Sequence, residues 1–278
     1  MRKFLLYISF GILVITTATS CNRELRRIEK SNDVEKKLAF ADRMYAKKKY
    51  QMAQTLYEEL IPVYKGTEKF DSLYYRYAYC SYYLKDYTQA GFHFKNYIDA
   101  FPSSPRAVEI DYMQAYCYYK LSPKVSLDQA STSKAIAAMQ TFVNNYPQAP
   151  KVAEANMVIE LCRKKLEKKE FNTAELYYNL GHFKAAGVSF TNLMRNYPDS
   201  EISDSYKYMA IKSYYLYAKN SIFEKQRDRF ETVLSEYLEF NERYPKSKFH
   251  DDAEKFYTLA KNNLKTLENE QIKEKSNQ

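Results

Sequence analysis

From about residue 32 to residue 265, apolar side chains recur at three- and four-residue intervals. That spacing puts them on one face of an α-helix. The pattern is punctuated. Aromatic-Pro pairs close successive segments at Phe101-Pro102, Tyr146-Pro147, Tyr197-Pro198 and Tyr244-Pro245, and three of the four have a serine within the next two residues. Proline lacks the amide donor and restricts the residue before it, so it ends a helix. A serine beyond it can cap the next one.

The segments also repeat one another. Ala78-Tyr79-Cys80-Ser81-Tyr82-Tyr83-Leu84 is echoed by Ala115-Tyr116-Cys117-Tyr118-Tyr119-Lys120-Leu121 and by Ala210-Ile211-Lys212-Ser213-Tyr214-Tyr215-Leu216. In the second unit Ala78, Ala90, Phe94 and Pro102 stand at the small, small, aromatic and proline positions of a 34-residue tetratricopeptide unit. Two small residues let helices A and B of a unit approach, and the aromatic fills the space beneath. The first unit repeats this with Ala41, Ala53 and Tyr57, opened by an Asn32 and Glu35 capping-box pattern. The fourth does so with Ala174, Ala186, Phe190 and Pro198. The pattern predicts an all-α, tetratricopeptide-type helical-repeat solenoid of about five helix pairs.

Two units depart from the template. Ala115 and Ala135 are too far apart for the third, which predicts an enlarged loop around Ser122 to Ser131; a similar excess falls around Lys219 to Arg229 in the fifth. Residues 151–180 hold no Gly and no Pro, and read as one long helix stopped by Gly181. The polar end, 266–278, reads as a disordered tail.

The first residues belong to a different kind of segment. Arg2 and Lys3 precede an apolar run from Phe4 to Ile15, then small residues to Ser20, then Cys21. The run is too short for a bilayer span, which takes about 20 residues, but it fits a secretory signal. A signal ending in small residues directly before Cys resembles the lipobox of bacterial lipoproteins, with Ala18 where leucine is more usual. The resemblance implies an acylated Cys21 as mature N-terminus, held by the lipid in a membrane. Asn22 in place of Asp implies, by lipoprotein sorting rules, the outer membrane, and the net basic residues after Cys21 favour its periplasmic face. The expected organisation is a signal peptide over 1–20, Cys21 and a tether over 21–31, repeats 1–3 over 32–147, and repeats 4–5 with the long helix over 148–265.

Composition narrows the chemistry. Five Gly and eight Pro in 278 residues are too few for hairpin-rich sheets or phosphate loops. The 43 basic and 34 acidic residues give +9, but the excess is spread along the chain, without a basic stripe or motif for nucleic acid. His93, His182 and His250 lie far apart without ligand neighbours, so neither a metal nor a cofactor is expected. Cys80 and Cys117 hold equivalent positions on neighbouring A helices, whose axes would lie about 8–10 Å apart, too far for a disulfide. These and Cys162 read as free, buried thiols. No nucleophile motif appears, and a non-catalytic binding protein is the expectation.

The 29 Tyr, beside 16 Phe and no Trp, need an account. Positions 2, 5, 9 and 12 of each helix A should face the concave side of a repeat stack. In the second unit these are Ser72, Tyr75, Tyr79 and Tyr82; in the third, Glu109, Tyr112, Tyr116 and Tyr119. Tyrosine combines an apolar face with a hydroxyl at low entropic cost, which suits binding of extended peptide. The alternative is that these rings only pack helix A against the adjacent repeat.

Lipobox, five repeats, loop insertion and long helix together resemble the BamD family, lipoproteins of the outer-membrane β-barrel assembly machinery. The closest stretch runs from about Arg163 to Ser200 and includes Arg163-Lys164-Lys165-Leu166-Glu167-Lys168-Lys169-Glu170-Phe171-Asn172-Thr173-Ala174-Glu175-Leu176-Tyr177-Tyr178, then Arg195-Asn196-Tyr197-Pro198-Asp199-Ser200. The resemblance implies a scaffold that binds a BamA-like barrel protein through its POTRA domains and faces unfolded outer-membrane proteins with its N-terminal repeats. Their aromatic C-terminal signals would suit the tyrosine groove. It implies further that Arg195, Tyr197 and Asp199 lie in the BamA interface. The competing reading is a periplasmic repeat lipoprotein coordinating peptidoglycan or division proteins. A glycan receptor is a poorer fit, since such receptors stack sugars on Trp.

Overall fold

In the computed structural model, residues 26–28 and 30–276 are described. Helix follows helix: α1 (Val34–Ala46), α2 (Tyr50–Tyr64), α3 (Lys69–Tyr83), α4 (Tyr87–Ala100), α5 (Ala107–Leu121), α6 (Ala130–Asn145), α7 (Val152–Asn179), α8 (Phe183–Asn196), α9 (Ser203–Lys219), α10 (Phe223–Arg243) and α11 (His250–Ser276). No strand occurs among the described residues. The chain forms two compact units, Met1–Cys162 and Arg163–Gln278, and the division falls inside α7 rather than at the Tyr146-Pro147 mark.

The fold is all-α, built from helix pairs of the tetratricopeptide type. In the first unit α1 to α6 each pack on the next helix in sequence; in the second α8 to α11 do, and α11 also reaches α9. Ala41, Ala53, Ala78, Ala90, Ala135, Ala174, Ala186 and Ala210 are all fully buried, as close helix approach requires. Tyr57, Phe94 and Phe190 fill the aromatic position, and Met139 replaces the aromatic in the third pair. In the fifth pair Val233 and Tyr237 occupy the corresponding places. Full burial of each such side chain contributes about 1.5–3 kcal/mol.

The A-to-B turns of the first, second and fourth pairs share one geometry. Lys48, Lys85 and Gly181 have left-handed φ of 57°, 65° and 77°. In each, the amide of that residue bonds the carbonyl three back, and the next amide bonds the carbonyl five back (Asp86 to Ser81, 3.0 Å). This is the Schellman arrangement that satisfies the last carbonyls of a helix. The aromatic-Pro turns repeat as well. Ser104, Ser200 and Ser247, each three residues after the aromatic, accept a backbone amide two residues on.

Three expectations are corrected. The N-cap of α1 is Asp33, which accepts from the Lys36 amide at 3.0 Å, so the Asn32 and Glu35 box does not form. The extra residues of the fifth pair do not make a loop. They lengthen α10 to 21 residues, joined to α9 by a turn over 220–222, because Phe223 to Arg229 contains no Gly or Pro to break a helix. In the third pair, by contrast, Pro123 keeps residues 122–129 as a loop. Finally, residues 266–276 are helical and not a disordered tail; Leu267 is buried against α10 and extends the packing of α11.

Candidate protein-binding surfaces

The two tyrosine columns lie on α3 and α5, and the structure sorts their six rings. Tyr112 is 1% exposed and packs edge-on to Phe142 at 5.5 Å, so it is a core residue and not a groove contact. Tyr79 is 6% exposed and sits against Phe94 at 5.1 Å. Tyr75, Tyr82, Tyr116 and Tyr119 remain half-buried. Packing takes the rings that point straight at helix B, and leaves those displaced toward the rim.

Glu109 ties the columns together. It accepts from the hydroxyls of Tyr75, at 3.1 Å, and Tyr79, while the Arg106 guanidinium lies 4.8 Å over the Tyr75 ring. Burial, reinforced by Glu109, pushes the Tyr75 phenol up to about 12, and burial does the same for Tyr82. These hydroxyls therefore stay neutral donors at any ordinary pH.

Four more tyrosines join the set. Tyr45 meets Tyr50 at 5.7 Å, Tyr50 stacks on Tyr83 at 4.5 Å, and Tyr82 contacts Tyr83 at 5.7 Å and Tyr87 at 5.6 Å. The Lys120 ammonium lies 5.7 Å from the rings of both Tyr87 and Tyr116. The helix-A rule omitted Tyr50 and Tyr87 because they begin helices B. Their signal was in the sequence: both stand two residues after the left-handed lysine of an A-to-B turn.

In the second unit Arg195 ends α8 and is exposed; its guanidinium donates to Asn192 on the same helix at 3.0 Å. Asp199 is exposed too, whereas Tyr197 is half-buried and donates to Glu170 of α7 at 2.9 Å. Burial first, and Glu170 second, hold the Tyr197 phenol well above its usual range. Tyr197 is thus the fastener of the turn, and Arg195 and Asp199 are its exposed side chains.

The model of a family of outer membrane lipoproteins, YfiO, matches residues 32–227. The chain belongs to that family. Its curated relatives include the outer membrane protein assembly factor BamD of Caulobacter vibrioides, 25% identical over 137 residues, which covers 49% of this chain and 45% of the relative. A relative of the same name in Aquifex aeolicus is 25% identical over 191 residues, covering 69% of this chain and 60% of its own length. The chain thus spans about half the length of the curated relatives it matches. Among solved structures, the TPR2AB domain of yeast Sti1 with pHSP90 has a TM-score of 0.41 at 11% identity, over 82% of this chain and 98% of that one.

The family match takes in both tyrosine columns and the Arg195–Asp199 turn; it ends early in α10, and α11 lies beyond it. Cys21 lies outside the described residues. No helix among those described is long and apolar enough to cross a membrane. Cys80, Cys117 and Cys162 are buried and form no disulfide, and burial pushes the Cys80 and Cys117 thiols up to about 12. Among the described residues no group of three or more His, Cys, Asp or Glu could hold a metal ion.

Proposed function

We propose that this chain is a non-catalytic lipoprotein of outer-membrane β-barrel assembly, anchored through an acylated Cys21 on the periplasmic face of the outer membrane. Its family and the assembly-factor names of its relatives support the reading. In it, the turn from Arg195 to Asp199 engages the POTRA domains of a BamA-like barrel protein, and the half-buried rings Tyr75, Tyr82, Tyr116 and Tyr119 receive unfolded outer-membrane proteins.

The observation that carries it is the contrast within one short turn. Tyr197 is bonded to α7, while Arg195 and Asp199 are exposed. A side chain held on a fastened turn loses little entropy on binding. The test is an affinity pull-down of the lipidated protein from detergent-solubilised outer membrane, with Arg195→Glu in parallel. Recovery of a POTRA-containing barrel protein, reduced by Arg195→Glu, supports both the assembly role and that of Arg195. Recovery of peptidoglycan or division proteins instead would favour the competing envelope scaffold.

A further inference from the structure

The two edges of the first unit differ in charge. At the edge formed by the B-to-A turns, Lys65 makes no ion pair among the described residues, but the other cations meet carboxylates: Lys69 with Glu35 at 2.7 Å, Arg106 with Asp71 at 2.6 Å, and Lys151 with Glu154 at 2.5 Å. At the opposite edge, the A-to-B turns carry Lys47, Lys48, Lys49, Lys85, Lys120 and Lys124, all exposed. Asp86 and Asp128 are the carboxylates in those turns, and each is engaged by a backbone amide, of Gln89 and Ala130. Lys47, Lys48, Lys85, Lys120 and Lys124 make no ion pair with a carboxylate among the described residues. Helices α2, α4 and α6, which begin at this edge, have no acidic residue in their first turns.

The same edge carries the strip of rings running from Tyr45 through Tyr50, Tyr83, Tyr82 and Tyr87 to Lys120 and Tyr116. Tyr83 and Leu84 stand 43% and 37% exposed at its middle. The helix dipole accounts for a lysine in the last turn of a helix. It does not account for a lysine run beyond α1, nor for rings placed continuously between the turns.

We propose that this edge docks an acidic, extended polypeptide segment carrying aromatic or apolar side chains. The unneutralised lysines supply charge complementarity, and the rings supply sequence-tolerant apolar contact. A polypeptide fits better than an anionic bilayer for two reasons. Most of the rings are half-buried against one another instead of projecting. The chain also enters α1 at the helix's other end, about 20 Å away at 1.5 Å per residue, so an anchor on Cys21 would draw the opposite edge toward a membrane. The inference shares Tyr82 and Tyr116 with the groove proposed above and takes the Cys21 anchor from that reading, and it rests on that reading in those two respects.

The test uses the full chain and a fluorescein-labelled Glu-Tyr repeat peptide, about a dozen residues long and therefore able to span about 40 Å when extended, followed by anisotropy. The triple variant Lys48→Glu, Lys85→Glu, Lys120→Glu should weaken binding about tenfold or more. Tyr83→Ser should weaken it less. A control with equal charge change, Lys184→Glu, Lys225→Glu, Lys265→Glu, should leave it within about twofold, and Arg195→Glu should not move it. The proposal is overturned if the control weakens binding as much as the edge variant, or if a Lys-Tyr repeat peptide binds equally well. It is overturned too if phosphatidylglycerol vesicles, and not the peptide, are bound through these lysines.

Discussion

The same inward helix-A positions occur on α5 of the first unit and α9 of the second, yet they hold different chemistry. Position 5 is Tyr112 on α5 and Lys207 on α9; position 9 is Tyr116 and Ile211; position 12 is Tyr119 and Tyr214. Tyr112 and Lys207 are both buried, at 1% and 2% exposed. Lys207 meets Glu236 at 2.7 Å and Glu239 at 2.5 Å, both from α10. At position 12 Tyr119 keeps its ring at the rim, while Tyr214 closes over Gly187 so tightly that a Cβ there would lie 2.6 Å from the ring. The repeat assigns a direction to each side chain. What packs across from it decides whether that direction ends in solvent, in a core, or on a carboxylate.

That comparison can be broken first at position 5. Tyr112→Ala should cost about 3–5 kcal/mol in urea unfolding, as other buried aromatic truncations do, whereas Tyr119→Ala should stay within about 1 kcal/mol. Similar losses from both would mean that the column is uniformly core. Lys207→Ala should cost about 3 kcal/mol, at the low end for buried pairs because Glu239 retains solvent. Lys207→Met should recover most of it if packing, rather than charge, is what the site needs.

A smaller effect concerns His93, which is buried on Tyr77 at 4.5 Å with no hydrogen-bond partner for Nδ1. Burial holds its pKa below the ordinary value. The unfolded chain therefore takes up the proton first. Stability from this group is complete above a pH of about 6.5 and falls as pH drops below it. Urea midpoints measured between pH 7 and 5 should decline, and His93→Gln should flatten that slope; an unchanged slope would exclude His93 as its source. The smallest effect belongs to the turns. Lys85→Gly relieves a left-handed φ that Gly181 already carries in the fourth pair, and should raise stability by about 0.5–1 kcal/mol. A drop in melting temperature would show that the lysine side chain is anchored.

Much of the architecture was legible. Alanines at fixed intervals, aromatic-Pro pairs and a Gly- and Pro-free stretch predicted helix pairs and the long α7, because helix termini and close helix contacts each demand particular residue types. The candidate sites were legible only in part. Spacing found the α3 and α5 columns but not that Tyr112 is core, since burial there depends on Phe142 of α6. It also missed Tyr50 and Tyr87, because a rule for helix A does not cover the first residues of helix B. Nor did it anticipate the helical end of the chain: residues 266–276 are polar on average, but Leu267 falls on the packed face of α11, while Ile272 stays exposed.

By itself the sequence determined the repeat, the proline stops between its units and the residues each helix turns inward. These are local properties, set by backbone sterics and by a period of 3.6 residues. Only the tertiary structure decided which cations remain unmatched. Lys47, Lys85, Lys120 and Lys124 are scattered through a chain whose charge looks evenly spread, and stacking the hairpins brings them onto one edge while the acidic partners gather at the other. Charge pairing depends on distance through space, and distance along the chain does not report it.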